Sequence, residues 1–519
     1  MVDLFHGPDD PADVIARIRE VGPTRWEDVD PVIRSLGVAK LRLAGVYDDR
    51  QDGHFMLRTR IPGGRLEADQ AEVIAGVARD FAVRPQDEEG PDRFLEITTR
   101  QDIQLHWIRF EALPEIWQRY ESVGLETVQA CGDTLRNVTS CPVDGLDPAA
   151  LLEAQPVVGA LTELSSFEPT LTAGLPRKFK VAVSGCPTDC VAARIHDLAF
   201  TPARRGVEIG FNVHAGGGLS DSPRLASQLD LFVVPERAVD VVRAALELFA
   251  ELGDYEHKAV NRFRVLVHDL RPVGTAAEIT RRLPFRPPPA GEDLSTWRFE
   301  DHLGVHADRH RSSWVGLCVP LGRLSWTEFA EVARLARKYG NGGLRLTQRQ
   351  NVILTGVGEP DDLAREPLLE RFSPSPDPFS RAVLACTSAP FCKFAVLDVK
   401  TRGAELIEHL QRSVPQDRWS ELDGLRLHLS GCKASCAQVQ LAQVGLRATM
   451  ARDEHGYRAA FDVALGGDIG AGRLARWTAL EVPVDQVFHW LGEALPAGLA
   501  GPEASMNDLD AESREGRDD

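Results

Sequence analysis

No apolar stretch in this sequence approaches the roughly 20 residues that would span a bilayer, and residues 1–30 are acidic, without the apolar core of a secretory signal. A cytoplasmic, reducing setting is therefore expected, one in which disulfides are rare. Positive charge is also in short supply. The 59 Lys and Arg stand against 77 Asp and Glu, for a formal net charge of −18, which argues against nucleic acid and anionic membrane surfaces as partners. No Gly-x-Gly-x-x-Gly turn follows a strand pattern and no segment is left over for a flavin module, so electrons for any redox chemistry must come from another protein. What remains is a chain of 519 residues, 43% hydrophobic, long enough for two to four domains with proper cores, ending in a polar, acidic tail over 507–519 that reads as solvated.

Cysteine is used in a pattern. Cys386-Thr-Ser-Ala-Pro-Phe-Cys392 and Cys432-Lys-Ala-Ser-Cys436 form a four-thiolate set, and a [4Fe–4S] cluster takes four thiolates, one for each iron. Cys432 and Cys436 stand at i and i+4. On a helix they would share a face with Cβ atoms about 5–6 Å apart, and a helix beginning near Gly431 would aim its positive end at an anionic cluster. The other pair brackets a Pro-containing loop able to curl over it. The competing readings are structural zinc, which favours shorter spacings than that between Cys386 and Cys392, and disulfides, which the expected compartment opposes.

The chain also repeats itself. Ile97-Thr-Thr-Arg-Gln-Asp-Ile-Gln-Leu105 answers Leu346-Thr-Gln-Arg-Gln-Asn-Val-Ile-Leu354, Ile61-Pro-Gly-Gly-Arg-Leu66 answers Val319-Pro-Leu-Gly-Arg-Leu324, and Ser184-Gly-Cys-Pro-Thr-Asp-Cys190 answers Ser430-Gly-Cys-Lys-Ala-Ser-Cys436. A period of about 250 residues means duplicated domains and not a solenoid. The fold expected is α+β, internally duplicated and pseudo-twofold, with a site between the halves. Two small half-domains, 1–115 and 294–370, each carry a Thr-x-Arg-Gln strand, the second with an amphipathic helix over Trp326–Tyr339. Two larger domains follow at 116–280 and 371–500, the linker is the Pro-rich stretch 281–293, and 501–519 is the tail. Strands are expected at 179–184, 206–213, 263–268, 426–430 and 459–465, Cys-x3-Cys helices after the first and fourth of these, and closing helices at 236–252 and 484–495.

Together with Leu175-Pro-Arg-Lys-Phe-Lys180, Gly132-Asp-Thr-Leu-Arg-Asn137 and Gly210-Phe-Asn-Val-His-Ala-Gly-Gly-Gly-Leu-Ser220, these motifs resemble the sirohaem-dependent sulfite and nitrite reductases over nearly the whole length. The resemblance implies ferredoxin-like half-domains, two sirohaem/Fe–S reductase domains, a [4Fe–4S] cluster on Cys386, Cys392, Cys432 and Cys436, and sirohaem joined to it through Cys436. By motif match, Arg58, Arg136, Lys178 and Lys180 correspond to the family's anion-binding and proton-delivering cations. Lys178 and Lys180, two apart on an expected strand, would emerge on one face. Arg100, Gln104, His106 and Asn137 are placed against the cofactor, Gln350 and Asn351 occupy the matching strand of the second half, and Gly216, Gly217 and Gly218 would let backbone amides approach it. The implied enzyme is a monomer that takes electrons from a small ferredoxin, docked near the cluster through basic residues of the second half, and reduces an oxyanion by six electrons.

Three points depart from the family or stay open. Cys131, Cys141, Cys186 and Cys190 form a second four-cysteine set in the first half, read foremost as a relic of duplication packed as small apolar side chains, otherwise as a second metal site or a redox-labile group; Cys318 reads as core. Lys433 and Ala434 stand where the family often has Pro and Asn. Substrate choice turns on Lys180: nitrite reducers working with plant-type ferredoxins often carry Asn there, and a second ammonium suits a dianion by Coulomb attraction, so sulfite is the expected substrate, with nitrite the alternative. A related tetrapyrrole-biosynthetic oxygenase and a non-catalytic redox protein are lesser alternatives, the first disfavoured by the four cations together.

Overall fold

The computed structural model describes residues 10–496 except 23, 30, 258–259, 297–299 and 455; the acidic tail lies outside the described residues. The chain divides into two compact units, one made of residues up to Gly218, Arg224–Val319 and Arg323–Pro374, the other of Leu219–Pro223, Pro320–Gly322 and the chain from Ser375 on.

In the first unit the two ferredoxin-like halves are interlocked by strand exchange. One sheet runs Val46–Asp48, His54–Thr59, Ile103–Arg109, Phe94–Ile97 and then Arg323–Ser325 from the second half; the other runs Gly304–Ala307, Ser313–Leu317, Val352–Val357, Gly343–Leu346 and then Arg65–Glu67 from the first. A three-residue strand has too few ladder bonds to stand alone, and each borrowed strand is held at its far end by a helix. Ala68–Phe81 and Trp326–Tyr339 begin directly after them, both opened by capping boxes, Glu67 with Gln70 and Ser325 with Glu328. The apolar faces of both halves, from Leu57, Ile74 and Leu105 to Leu317, Val332 and Leu354, merge into one buried core.

The Thr-x-Arg-Gln motif, expected as a strand, is instead the turn between two strands in each half. Gln101 (φ 61) and Gln350 (φ 63) are left-handed, which breaks an extended run. Thr98 N donates to Asp102 O, and Thr347 N to Asn351 O, both at 2.9 Å. The glutamine amides then cross between halves: Gln101 Nε2 donates to Leu346 O at 2.8 Å and Gln350 Nε2 to Ile97 O at 2.9 Å.

The first unit also contains a sheet ordered Thr139–Ser140, Val181–Val183, Leu198–Arg205, Glu208–Ala215 and Ser227–Val233, its first two pairings parallel and the next two antiparallel. The second unit repeats that pattern with Val383–Ala385, Leu427–Ser430, Val444–Asp453, Gly456–Leu465 and Arg476–Pro483. Residues 263–268, expected as a strand, open the helical stretch Phe263–Arg282, which breaks at Arg271 (φ 61) before Pro272. A short apolar run does not distinguish strand from helix by periodicity; here Phe263 and Val267, one turn apart, are the buried pair. Past that helix, the Pro-rich segment is pinned and not free: Asn212 exchanges two hydrogen bonds with the Gly291 backbone and Glu292–Asp293 pairs with Leu198–Arg205.

No Cys-x3-Cys helix forms in either copy. Asp189 (φ 47) and Ala192 (φ 49) in one loop, and Ser435 (φ 55) and Gln438 (φ 59) in the other, turn left-handed where a helix would need right-handed backbone. Among the described residues, no helix is long and apolar enough to cross a membrane.

Because Gln101 is fully buried and its carbonyl also accepts from Ser140 N, Gln101→Ala is expected to strand several backbone groups and cost about 1–3 kcal/mol, read as a fall in the denaturant midpoint at constant m-value.

Candidate cofactor and substrate site

The first unit gathers cations. Arg58 Nη1 and Arg136 Nη1 both donate to Ala130 O at 3.0 Å, which fixes the two guanidiniums side by side. Arg100, in the turn of the first half, donates to Asn137 O, and Asn137 Nδ2 returns a bond to Arg100 O at 3.1 Å. Lys178 and Lys180 precede the strand Val181–Val183 and flank Phe179, which bridges Leu135. Phe179 is fully buried while both lysines, like Arg177, are half-buried on backbone outside the strand. Asp133 accepts from Lys178 N at 3.1 Å and Asp197 from Lys180 N at 3.0 Å.

Charge in this region is unbalanced. Burial holds Arg100 down to about 10, with Arg136 and Arg58 adding to the effect against Asp102 and Asp197. Arg136 is lowered by burial and Arg58. Lys180 is pushed well below the usual lysine value by burial and then by Arg100, Arg262 and Lys178, with Asp197 opposing. Arg100 Nε and Asn137 Oδ1 are buried without a hydrogen-bond partner. A polyanionic ligand relieves the cost of the buried cations and accepts from Arg100 Nε, though not that of the Asn137 acceptor, so the cations fit a tetrapyrrole rich in carboxylates.

Other expected contacts are distributed differently. Gln104 lies directly opposite Arg58 in the sheet, its buried amide 3.6 Å from Met56 Sδ. His106 is drawn to Asp49 at 3.1 Å and stacks on Phe94. Gln350 spends its amide N–H on Ile97 O, and Asn351 Oδ1 accepts from Val319 N at 3.0 Å, a structural use of both side chains. Nor do Gly216, Gly217 and Gly218 offer free amides: their N–H groups go to Asp197 O, His196 O and Arg224 O. A Cβ on Gly216 would meet Val267, and one on Gly217 the carbonyls of Arg194 and His196, so close packing of the protein on itself requires glycine at these two, whereas at Gly218 only the mobile Arg264 guanidinium stands in the way. The sequence reading missed Arg262, which pairs with the fully buried Asp197 at 3.2 Å, and His196, held well below its usual pKa by burial and then by Arg100 and Lys180. The only signal for Arg262 was a basic run, Arg262-Phe-Arg264, at the start of the segment misread as a strand; His196 carried none.

The second unit carries the four-cysteine set at the ends of two parallel strands. Cys386 follows Val383–Ala385 and Cys432 follows Leu427–Ser430. Gly431 N donates to Cys386 Sγ at 3.2 Å, so a backbone amide takes the place of the helix end expected there. A Cβ at Gly431 would lie 2.9 Å from Ser388 Cβ and 3.1 Å from Ala395 Cβ, which permits only glycine where the two segments meet. Cys386 is raised well above the usual thiol value by burial and by Cys436, Cys432 and Cys392, and Cys432 to about 11 by burial with Cys436 and Cys392 adding. The four sulfurs are thus within electrostatic reach of one another, and a cationic iron centre supplies the charge that lets them ionise together. Cys436 is the exposed member, the other three being half-buried.

Two stretches, 47–123 and 306–364, match the family model of the nitrite/sulfite reductase ferredoxin-like half domain, and 131–284 match that of the nitrite and sulphite reductase 4Fe–4S domain. The chain is 38% identical over 488 residues to the assimilatory ferredoxin-dependent nitrite reductase of Haloferax mediterranei, covering 89% of this chain and 82% of that protein. It is 34% identical over 477 residues to the ferredoxin–nitrite reductase of Synechococcus elongatus, covering 88% and 87%. The solved structure of the Mycobacterium tuberculosis NirA protein superposes with a TM-score of 0.86 at 27% identity, covering 97% of this chain and 94% of the other. Fold and site therefore define an oxidoreductase that works with sirohaem and a [4Fe–4S] cluster. The chain belongs to the nitrite and sulfite reductase family.

If Cys386, Cys392, Cys432 and Cys436 are the cluster ligands, Cys432→Ser lowers bound iron by about the four atoms of one cubane and abolishes acid-labile sulfide; a variant that keeps both would remove Cys432 from the ligand set.

Proposed function

We propose that this enzyme reduces nitrite to ammonia by six electrons delivered by ferredoxin. The observation that carries this reading is the company it keeps: relatives sharing 34–38% identity over most of both chains are named ferredoxin-dependent nitrite reductases. The sulfite preference expected from Lys180 finds no support among them.

Arg58, Arg100, Arg136, Lys178 and Lys180 would hold the sirohaem carboxylates and the substrate, and Cys386, Cys392, Cys432 and Cys436 would hold the cluster. When bound, these groups supply the electron path and the iron face at which the anion is reduced. The chain's own part is electrostatic and protonic. Arg58 and Arg136, locked on one carbonyl, orient the nitrite oxygens and hold charge as N–O bonds break. Lys178 and Lys180 deliver protons to departing water, and Lys180, whose proton is held weakly, is the readier donor.

With reduced ferredoxin or viologen, kcat/KM for nitrite is expected to exceed that for sulfite; the reverse order would restore the sulfite reading. Arg136→Ala is expected to lower kcat/KM for nitrite by about 10²-fold. Protonated Lys180 is lost as pH rises through its depressed pKa, so activity falls on the alkaline side, and Lys180→Gln lowers kcat and flattens that limb. An alkaline limb unchanged in Lys180→Gln would assign proton delivery to another group.

A further inference from the structure

Three of the four cysteines read as a relic come together in the first unit. The Sγ atoms of Cys141, Cys186 and Cys190 lie within 4.8 Å of one another, the Cys186–Cys190 pair at 3.5 Å. Cys186 Sγ also lies 3.4 Å from Thr188 Oγ1 and 3.7 Å from Ser184 Oγ. Cys141 and Cys186 are buried and Cys190 is half-buried, packed with Val143, Leu146, Trp314 and Ile353. Cys131 stands apart, its Sγ against Gly45 O at 3.8 Å.

The group reproduces the candidate cluster loop feature by feature. Cys141 follows Thr139–Ser140 as Cys386 follows Val383–Ala385, and each of these strands pairs in parallel with the strand that leads to the other thiols. Asp189 and Ala192 are left-handed where Ser435 and Gln438 are left-handed. Asp189 Oδ1 accepts from Ala193 N at 3.0 Å as Ser435 Oγ accepts from Val439 N at 3.2 Å. Only a thiol matching Cys392 is lacking. Left-handed non-glycine residues cost energy and persist where the surroundings impose them, and here both loops impose them at matching positions.

We propose that Cys141, Cys186 and Cys190 bind a single thiophilic metal ion, with zinc the ion expected in a reducing compartment. Three thiolates sharing one zinc at about 2.3 Å stand roughly 3.8 Å apart, within the range these sulfurs span. Thiolates of a cubane each sit on a different iron and stand farther apart than that. The family model covering 131–284 is that of a 4Fe–4S domain, but the geometry in this copy suits one ion. Soft thiolate donors select zinc or cuprous copper over magnesium, calcium or manganese, and three protein ligands leave a fourth coordination position for water or a small ligand. Binding releases the thiol protons and involves no change of oxidation state.

The test is a metal count on holoenzyme purified anaerobically from zinc-supplemented medium. The expected result is about one zinc per chain with sulfur neighbours at the zinc absorption edge. Cys186→Ser is expected to lower zinc about tenfold or more with iron unchanged, while Cys131→Ser retains it. Wild-type protein holding less than about a tenth of a zinc per chain, zinc that survives Cys186→Ser, or a Cys186–Cys190 disulfide in the denatured, alkylated chain would each overturn the proposal. So would wild-type iron about four atoms above those of one cluster and one sirohaem, which would place a cubane in this copy instead.

Discussion

The reciprocal bond between Gln101 and Leu346 on one side, and Gln350 and Ile97 on the other, holds the rest of the first unit in register. Each half lends a three-residue strand and one glutamine amide to its neighbour, so neither sheet is complete alone. Because the amides leave from the turns that carry Arg100 and Arg349, the same bonds that join the halves fix those turns. Asp102 and Asn351 extend the logic: their Oδ1 atoms accept from Ile61 N and Val319 N and so pin the two duplicated Ile/Val-Pro turns. Arg100 is then positioned by core architecture, and its exchange with Asn137 carries that rigidity into the reductase domain.

Onto this frame is built a local inversion of the chain's charge. The molecule is strongly acidic as a whole, yet Arg58, Arg100, Arg136, Lys178, Lys180 and Arg262 crowd into a region whose charged partners are Asp102, Asp133 and Asp197. Surface ion pairs elsewhere contribute little. Buried cations short of counter-ions are different, since each destabilises its neighbours until an anion arrives. The acidic carboxylates have a local use: Asp133 and Asp197 accept from the backbone amides of Lys178 and Lys180, which fixes the backbone from which the two ammonium groups extend. A site of this kind favours anions by construction, and it weakens the hold of Lys180 on its own proton.

How much of this could be read from residues alone follows from what each feature depends on. Cysteine spacing and the duplicated motifs are local patterns, and they led to the doubled fold and the iron–sulfur cluster; sirohaem and the cations Arg58, Arg136, Lys178 and Lys180 came only from the resemblance of short motifs to the family. The turn in Thr-x-Arg-Gln was hidden because glutamine, not glycine, takes the left-handed position, and only the bond across to the other half makes that affordable. The thiol loops were mistaken for helices for the same reason, with Asp189 and Ser435 in left-handed backbone. Strand exchange was invisible because three-residue strands carry no periodicity. Arg262 and His196 enter the site through tertiary packing on Asp197 and Thr139, a contact that no spacing encodes.

Duplication explains why the molecule has two of each device and uses them unequally. Both copies of the thiol loop keep the same strand ends, the same two left-handed residues and the same side-chain cap on the following turn. The difference lies in one cysteine: the second unit has Cys392, which the first unit does not match, while three sulfurs of the first are drawn close. A cluster spreads its charge over several irons and tolerates an open loop with an exposed Cys436, whereas three crowded thiols in an apolar shell of Trp314, Ile353 and Val143 cannot all ionise unless one cation sits among them. On the proposed assignments, the presence or absence of a single thiol changes what the same loop backbone can hold, a four-thiolate cluster or a lone ion, while the fold around both loops stays the same.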